Sequence, residues 1–154
     1  MSKLISAREL ELRIAAGNAP VLLDIRFAPG RTDGRDAYAE AHIPGAILID
    51  LPSELADAEA VGRGSTPLPD AAKLEADLRR WGIDADSAIV VYDDTTGAPA
   101  ARAWWVLSWA GLGDVRLLDG GLAAWRREAF ATEAGVNEPV GGGTVAVAAG
   151  ALPS

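Results

Sequence analysis

The sequence predicts a three-layer α/β/α domain built on a mainly parallel sheet of about five strands. Apolar runs of strand length alternate along the chain with segments of helical period, the pattern of repeated βα units. Two of those runs, Val21-Leu22-Leu23-Asp24-Ile25 and Ala88-Ile89-Val90-Val91-Tyr92, are apolar almost throughout. A strand apolar on both sides is buried on both faces, so helices must cover the sheet from above and below. A chain of 154 residues is long enough for one such domain with its own core.

The elements follow in order. Ser6-Ala7-Arg8-Glu9 reads as a capping box, with Leu10 and Ile14 at helical spacing behind it and Gly17 suited to the position just past the helix end. Val21 to Ile25 is a short buried strand. A polar, glycine-bearing loop from Pro29 to Asp33 leads to a short helix near Asp36 to Ala41. The turn Ile43-Pro44-Gly45-Ala46 opens a second strand, Ile47 to Ile49. Residues 52 to 69 carry Gly62, Gly64, Pro67 and Pro69 and read as loop. Asp70 caps a helix reaching Trp81, closed by Gly82. The strand from Ala88 to Tyr92 is followed by a tight polar loop, Asp93 to Gly97. Pro99 sits where a helix begins, and that helix runs to about Ala110 before Gly111. Val115 to Leu118 is a further strand, and Gly120-Gly121 leads into a last helix containing Trp125. From Val136 the character changes: Gly141-Gly142-Gly143 precedes small apolar residues, a linker-like composition. The domain is therefore expected to span residues 1–135, with a tail over 136–154.

Composition narrows the chemistry. Fourteen basic against 22 acidic residues leave a net charge of −8, and no basic tract stands out. Nucleic acids and anionic membranes draw affinity mainly from phosphate contacts, so neither is an expected partner. No apolar run is long enough to span a bilayer and the N-terminus lacks the apolar core of a signal peptide, so a soluble, cytoplasmic location is expected. Cysteine is absent and His42 is the single histidine. That removes thiolate chemistry and any paired-histidine metal motif, and neither metal nor cofactor is expected.

In parallel sheets ligands gather at the carboxyl ends of strands. The loop after the most apolar strand, Asp93-Asp94-Thr95-Thr96-Gly97-Ala98, is the place to look. A strand, a tight turn and a helix N-terminus aim several backbone N–H groups at one point and form an anion cradle. A nucleophile on the last strand residue would lie at its bottom, where the amides would favour a thiolate. Here Asp93 holds that position. Its carboxylate can accept the amide hydrogen bonds, but it cannot form a stable persulfide. The plain reading is that Asp93 satisfies the loop amides. Arg102, one to two turns into the following helix, could face the cradle and balance Asp93 or Asp94.

Four blocks occur in order over about 100 residues: Leu23-Asp24-Ile25-Arg26 with Tyr38; His42-Ile43-Pro44-Gly45-Ala46; Tyr92-Asp93-Asp94-Thr95-Thr96-Gly97 with Ala100-Ala101-Arg102-Ala103-Trp104-Trp105; and Leu118-Asp119-Gly120-Gly121-Leu122-Ala123-Ala124-Trp125. Together they resemble the rhodanese family. Within it, Tyr92-Asp93 and the Ala-Ala-Arg-x-Trp-Trp helix are similar to the N-terminal, non-catalytic domain of tandem sulfurtransferases that act on thiosulfate or 3-mercaptopyruvate. The resemblance implies a rhodanese fold and a cysteine-bearing second rhodanese domain in the same parent chain as partner. It also implies that the tail from Thr144 to Pro153 leads toward that domain. The departure from the active pattern is that no cysteine stands at position 93 or anywhere else.

The other motif residues read as structural. Asp24 and Arg26 flank the end of the first strand and can pair with other loops. His42 reads as a hydrogen-bonding turn residue. Trp105 and Trp109, four apart, share a helix face, whereas Trp104 points elsewhere. Trp104 and Phe27 are candidate contacts for a partner domain, Phe27 because the resemblance places domain contact at that strand end. Aspartate-based phosphoryl transfer is the competing enzyme reading. It needs a second acid two residues after the nucleophile, where Thr95 stands, or a lysine on a late strand, whereas the only lysines are Lys3 and Lys73. A stand-alone, inactive rhodanese-like binding or regulatory module is the remaining alternative.

Overall fold

The computed structural model describes residues 3–28, 30–50 and 71–147. The loop expected at 52–69, the Asp70 cap and Pro29 lie outside these residues. Five strands form one sheet in the order β1-β5-β4-β2-β3, and every pairing is parallel. The strands are β1 (Leu4–Ile5), β2 (Val21–Ile25), β3 (Ile47–Ile49), β4 (Ile89–Asp93) and β5 (Val115–Leu118). The helices are α1 (Ala7–Ala15), α2 (Gly34–Glu40), α3 (Ala71–Arg80), α4 (Ala98–Trp109) and α5 (Gly121–Arg127).

Residues on a strand alternate between faces, and two separate cores result. Leu23, Ile25, Ile89 and Val91 pack with α3 and α4 on one side. Leu22, Val90, Tyr92 and Leu118 pack with Leu10 of α1 and with Leu122 and Trp125 of α5 on the other. The predicted three-layer architecture is the one observed. The fifth strand is β1, which sequence reading did not place. It is only two residues long, too short for any period to register, and it forms because Leu117 N donates to Lys3 O and Asp119 N to Ile5 O.

Local signals hold closely. The Ser6 hydroxyl accepts from Glu9 N at 3.0 Å and caps α1. Ser6→Ala should cost about 1 kcal/mol in chemical denaturation with an unchanged m-value. Strand β4 runs one residue past Tyr92, so Asp93 is its last residue and pairs with Ile25 of β2. Helix α2 begins at Gly34, two residues earlier than expected. A Cβ on Gly34 would lie 2.5 Å from the Arg26 carbonyl oxygen, so the chain turns into this helix hard against β2.

The segment after Val136, read as linker-like, lies against α3 through Val147. Gly143 N donates to Arg79 O, Val145 N to Ile83 O, and Arg79 Nε to Val145 O. Val145 is buried in the α3–α4 core. Gly143 approaches so closely that a Cβ there would meet Ile83 O at 2.6 Å.

Candidate functional site

The carboxyl ends of β2 and β4 meet beside the N-terminus of α4. Asp93 shares a strand face with Val91, so its side chain projects toward α4. It is 2% exposed. Its Oδ1 accepts from Thr95 N at 3.0 Å and Gly97 N at 3.1 Å, and its Oδ2 accepts from Ala100 N at 3.0 Å. The cradle of amides is thus filled by the protein's own carboxylate. Gly97 makes the geometry possible: at φ 91° it holds the left-handed conformation that lets the loop close on α4. Gly121, at φ 59°, presses against the same point, where a Cβ would stand 2.7 Å from the Asp93 carbonyl oxygen. A cavity of about 210 Å³ opens beside the loop, lined by Asp93, Thr95, Thr96, Leu117, Asp119 and Gly120.

Asp94 points the other way. Arg31 grips its carboxylate with both terminal nitrogens, at 2.7 and 2.9 Å, and Arg26 approaches at 3.4 Å. Burial works against ionisation of Asp94, but Arg31 and Arg26 outweigh it and hold the carboxyl below its usual range. The Arg102 guanidinium lies over the Trp105 ring, 5.6 Å from its centroid. Arg31 was not singled out from sequence. It sits in an irregular loop 63 residues from Asp94, and no local pattern links the two.

Behind this loop lies a buried polar cluster. Asp24 and Arg26 pair through two hydrogen bonds of 2.6 and 3.0 Å, and Arg26 also donates to Ala41 O at 2.7 Å. Burial pushes the Asp24 carboxyl upward against the Arg26 donors, and it pushes the Tyr92 hydroxyl well above its ordinary value. Tyr92 accepts from Ile43 N at 3.1 Å and so ties β4 to the turn after His42. His42 is fully buried, stacked on Tyr38 at 4.2 Å between centroids. Its Nδ1 faces Tyr38 O at 2.9 Å and its Nε2 faces Glu133 Oε1 at 3.0 Å. Glu133 and Asn137, neither of them singled out from sequence, complete this turn.

Glu133 Oε1 also accepts from Gly45 N and Asn137 Nδ2. The Gly45 amide foremost, then Asn137, hold the Glu133 carboxyl below its ordinary value of about 4.5, with His42 adding to them. A carboxylate with a lowered folded-state value stabilises the fold above the unfolded value, and that contribution is lost as pH falls through the folded one. Stability should therefore decline as pH drops below about 4.5. Glu133→Gln should flatten that part of the pH profile while costing about 1 kcal/mol at neutral pH, allowing for partial exposure.

Phe27 is half-buried and lines a 320 Å³ cavity at the carboxyl edge with Arg26, Arg31, Arg35, Leu48 and Asp50. Trp104 is half-buried beside the start of β5. Its indole donates to Val115 O at 2.9 Å, and Lys3 Nζ lies 4.9 Å over its ring. Among the described residues no group of three or more His, Cys, Asp or Glu side chains could hold a metal ion, and no helix is long and apolar enough to cross a membrane.

Residues 6–128 match the family profile of the rhodanese-like domain. The chain belongs to the rhodanese family. This rhodanese domain is 48% identical over 136 residues to SseB of Mycobacterium tuberculosis, named as a thiosulfate sulfurtransferase; the match covers 88% of this chain and 48% of that one. It is 45% identical over 133 residues to a Pseudomonas aeruginosa protein named as a 3-mercaptopyruvate sulfurtransferase, covering 84% of this chain and 46% of that one. The crystal structure of SseA from Escherichia coli, a 3-mercaptopyruvate sulfotransferase, superposes with a TM-score of 0.77 at 28% identity, over 96% of this chain and 57% of that one. The chain spans about half the length of the relatives it matches.

Proposed function

We propose that this chain is the non-catalytic rhodanese domain of a tandem sulfurtransferase acting on thiosulfate or 3-mercaptopyruvate, and that it supports a second, cysteine-bearing rhodanese domain. The observation that carries this reading is the Asp93 carboxylate filling the amide cradle at the end of β4. Sulfur transfer by a rhodanese needs a thiolate that takes a sulfane sulfur from the donor and releases it to cyanide or a thiol. A carboxylate offers no such exchange, and the sequence contains no cysteine to replace it. Relatives twice as long leave room for the missing thiol on a further domain. In this reading the carboxyl edge around Phe27 faces that domain and shapes the cleft between the two halves, and Trp104 provides a second contact.

The test is thiocyanate formation from thiosulfate and cyanide, measured for the 154-residue chain and for the same chain extended by the sequence encoded after it. No rate above the uncatalysed one is expected from the chain alone, and full activity from the extended protein. Turnover by the 154 residues alone would refute the proposal. A downstream sequence without a cysteine-bearing rhodanese domain would leave an inactive binding module instead. Asp93→Cys should restore little activity, because residues 94–98 carry no basic side chain to lower the new thiol or to hold an anionic donor.

A further inference from the structure

The stretch that carries Phe27 is tied at both ends to one carboxylate. Asp93 ends β4 in register with Ile25, the last residue of β2. Asp94 and Arg26 therefore leave the sheet side by side, and Arg26 Nη1 lies 3.4 Å from Asp94 Oδ2. Further along the loop, Arg31 reaches back and grips Asp94 with both terminal nitrogens, at 2.7 and 2.9 Å, while its Nε donates to Asp33 at 2.7 Å. Two parallel N–H···O bonds fix the planes of guanidinium and carboxylate, so the contact sets orientation as well as distance. Arg31 N donates to Ala28 O at 3.0 Å and closes the backbone between. The clamp and the aromatic ring lie on opposite faces of the sheet edge. Asp94 lines a cavity with Leu122 and Arg126 of α5, whereas Phe27 packs against the core under α3 and α4. Arg31 joins the two sides, because it also lines the 320 Å³ cavity with Phe27.

We infer that Asp94 is a positioning residue for the sulfur donor: through Arg31 and Arg26 it holds Phe27 and the adjoining cavity in the shape that admits the donor to the cleft between two rhodanese domains. The inference rests on the tandem reading given above. The cavity sets the guanidinium groups of Arg31 and Arg35 beside Phe27 and Leu48, with Asp50 also in its lining. Apolar walls with nearby cations suit a small anion, and thiosulfate and 3-mercaptopyruvate are both anions. Asp94 acts at one remove, since its carboxylate is taken up by the two arginines. Arg26 keeps Asp24 and Ala41 O when Asp94 is altered, so the end of β2 survives and the loop beyond it loosens. The result is a weaker donor site beside an undisturbed thiol on the second domain, which raises KM and leaves kcat in place. A role confined to stability would do the reverse: fewer folded molecules would lower the apparent kcat at an unchanged KM.

The test has two arms. In the 154-residue chain, Asp94→Asn should exchange the Arg31 amide hydrogen several-fold faster, with those of Leu23 and Val90 in the sheet unchanged. In the chain extended by the sequence encoded after it, steady-state rates with thiosulfate and cyanide should show KM for thiosulfate rising at least about fivefold in Asp94→Asn, with kcat within about twofold of wild type. Arg31→Met should reproduce that rise, and the double variant should be no worse than either single one, because the two residues act as a unit. In a Phe27→Ala background Asp94→Asn should add almost nothing, since the ring it positions is gone. An Arg31 amide that does not respond would overturn the inference. So would an active extended protein whose KM is unmoved by Asp94→Asn, a loss confined to kcat, or an effect that simply adds to that of Phe27→Ala. A wild-type extended protein without turnover would overturn the tandem reading itself, and the inference with it.

Discussion

Asp24→Ala is expected to destabilise the domain by about 3–5 kcal/mol, the usual cost of stripping one partner from a buried ion pair. Asp24 is fully buried and Arg26 is 6% exposed. Removing the carboxylate leaves the guanidinium with its bond to Ala41 O and a 3.4 Å approach to Asp94. It also takes away the acid beside the Tyr92 hydroxyl. The decisive comparison is the double variant Asp24→Ala with Arg26→Met, which removes both charges and should recover a substantial part of the loss. Urea denaturation of the four proteins measures it. If the single variant costs less than about 1 kcal/mol, the pair is not the electrostatic pivot of the carboxyl edge.

Asp93→Ala should cost roughly 2–3 kcal/mol, because one carboxylate serves three backbone donors and the Ala100 amide is buried. The Thr95 and Gly97 amides are partly exposed and can turn to water, so the largest penalty falls at Ala100. Asp93→Asn can keep oxygen toward Thr95 and Gly97 but sets an NH₂ group against Ala100 N, and it should fall between alanine and wild type. Hydrogen exchange resolves the cause. Thr95, Gly97 and Ala100 should lose protection in Asp93→Ala, whereas amides of β5 should not. Equal stability of all three proteins would mean that the loop holds its shape without its carboxylate, and the cradle would then be open to an external anion.

Much of this was legible in the chain. The capping serine, the apolar runs of β2 and β4 and the glycines that close α1 and α3 act within a turn or two of backbone, so their positions survive translation into structure with shifts of one or two residues. The four motif blocks and the missing thiol were likewise plain. Less legible were the edge strand β1, whose two residues have no period of their own, and the packing of residues 141–147. Their glycines read as linker until Gly143 is seen to need the space a side chain would fill.

What the sequence determined by itself is therefore local and compositional: where chain of each period lies, which family the motifs match, and that no cysteine is present to carry sulfur. What only the tertiary structure decided is which charges meet. Asp94 could have found Arg102, eight residues on in the same loop–helix unit, yet it is held by Arg31 across 63 residues. His42, read as a turn residue, is matched to Glu133 across 91. The reason is geometric. Helical and strand periodicity are encoded within a few residues, but the meeting of distant side chains depends on parallel register and on crossovers that bring separate loops to one edge of the sheet, and no short window of sequence contains that information.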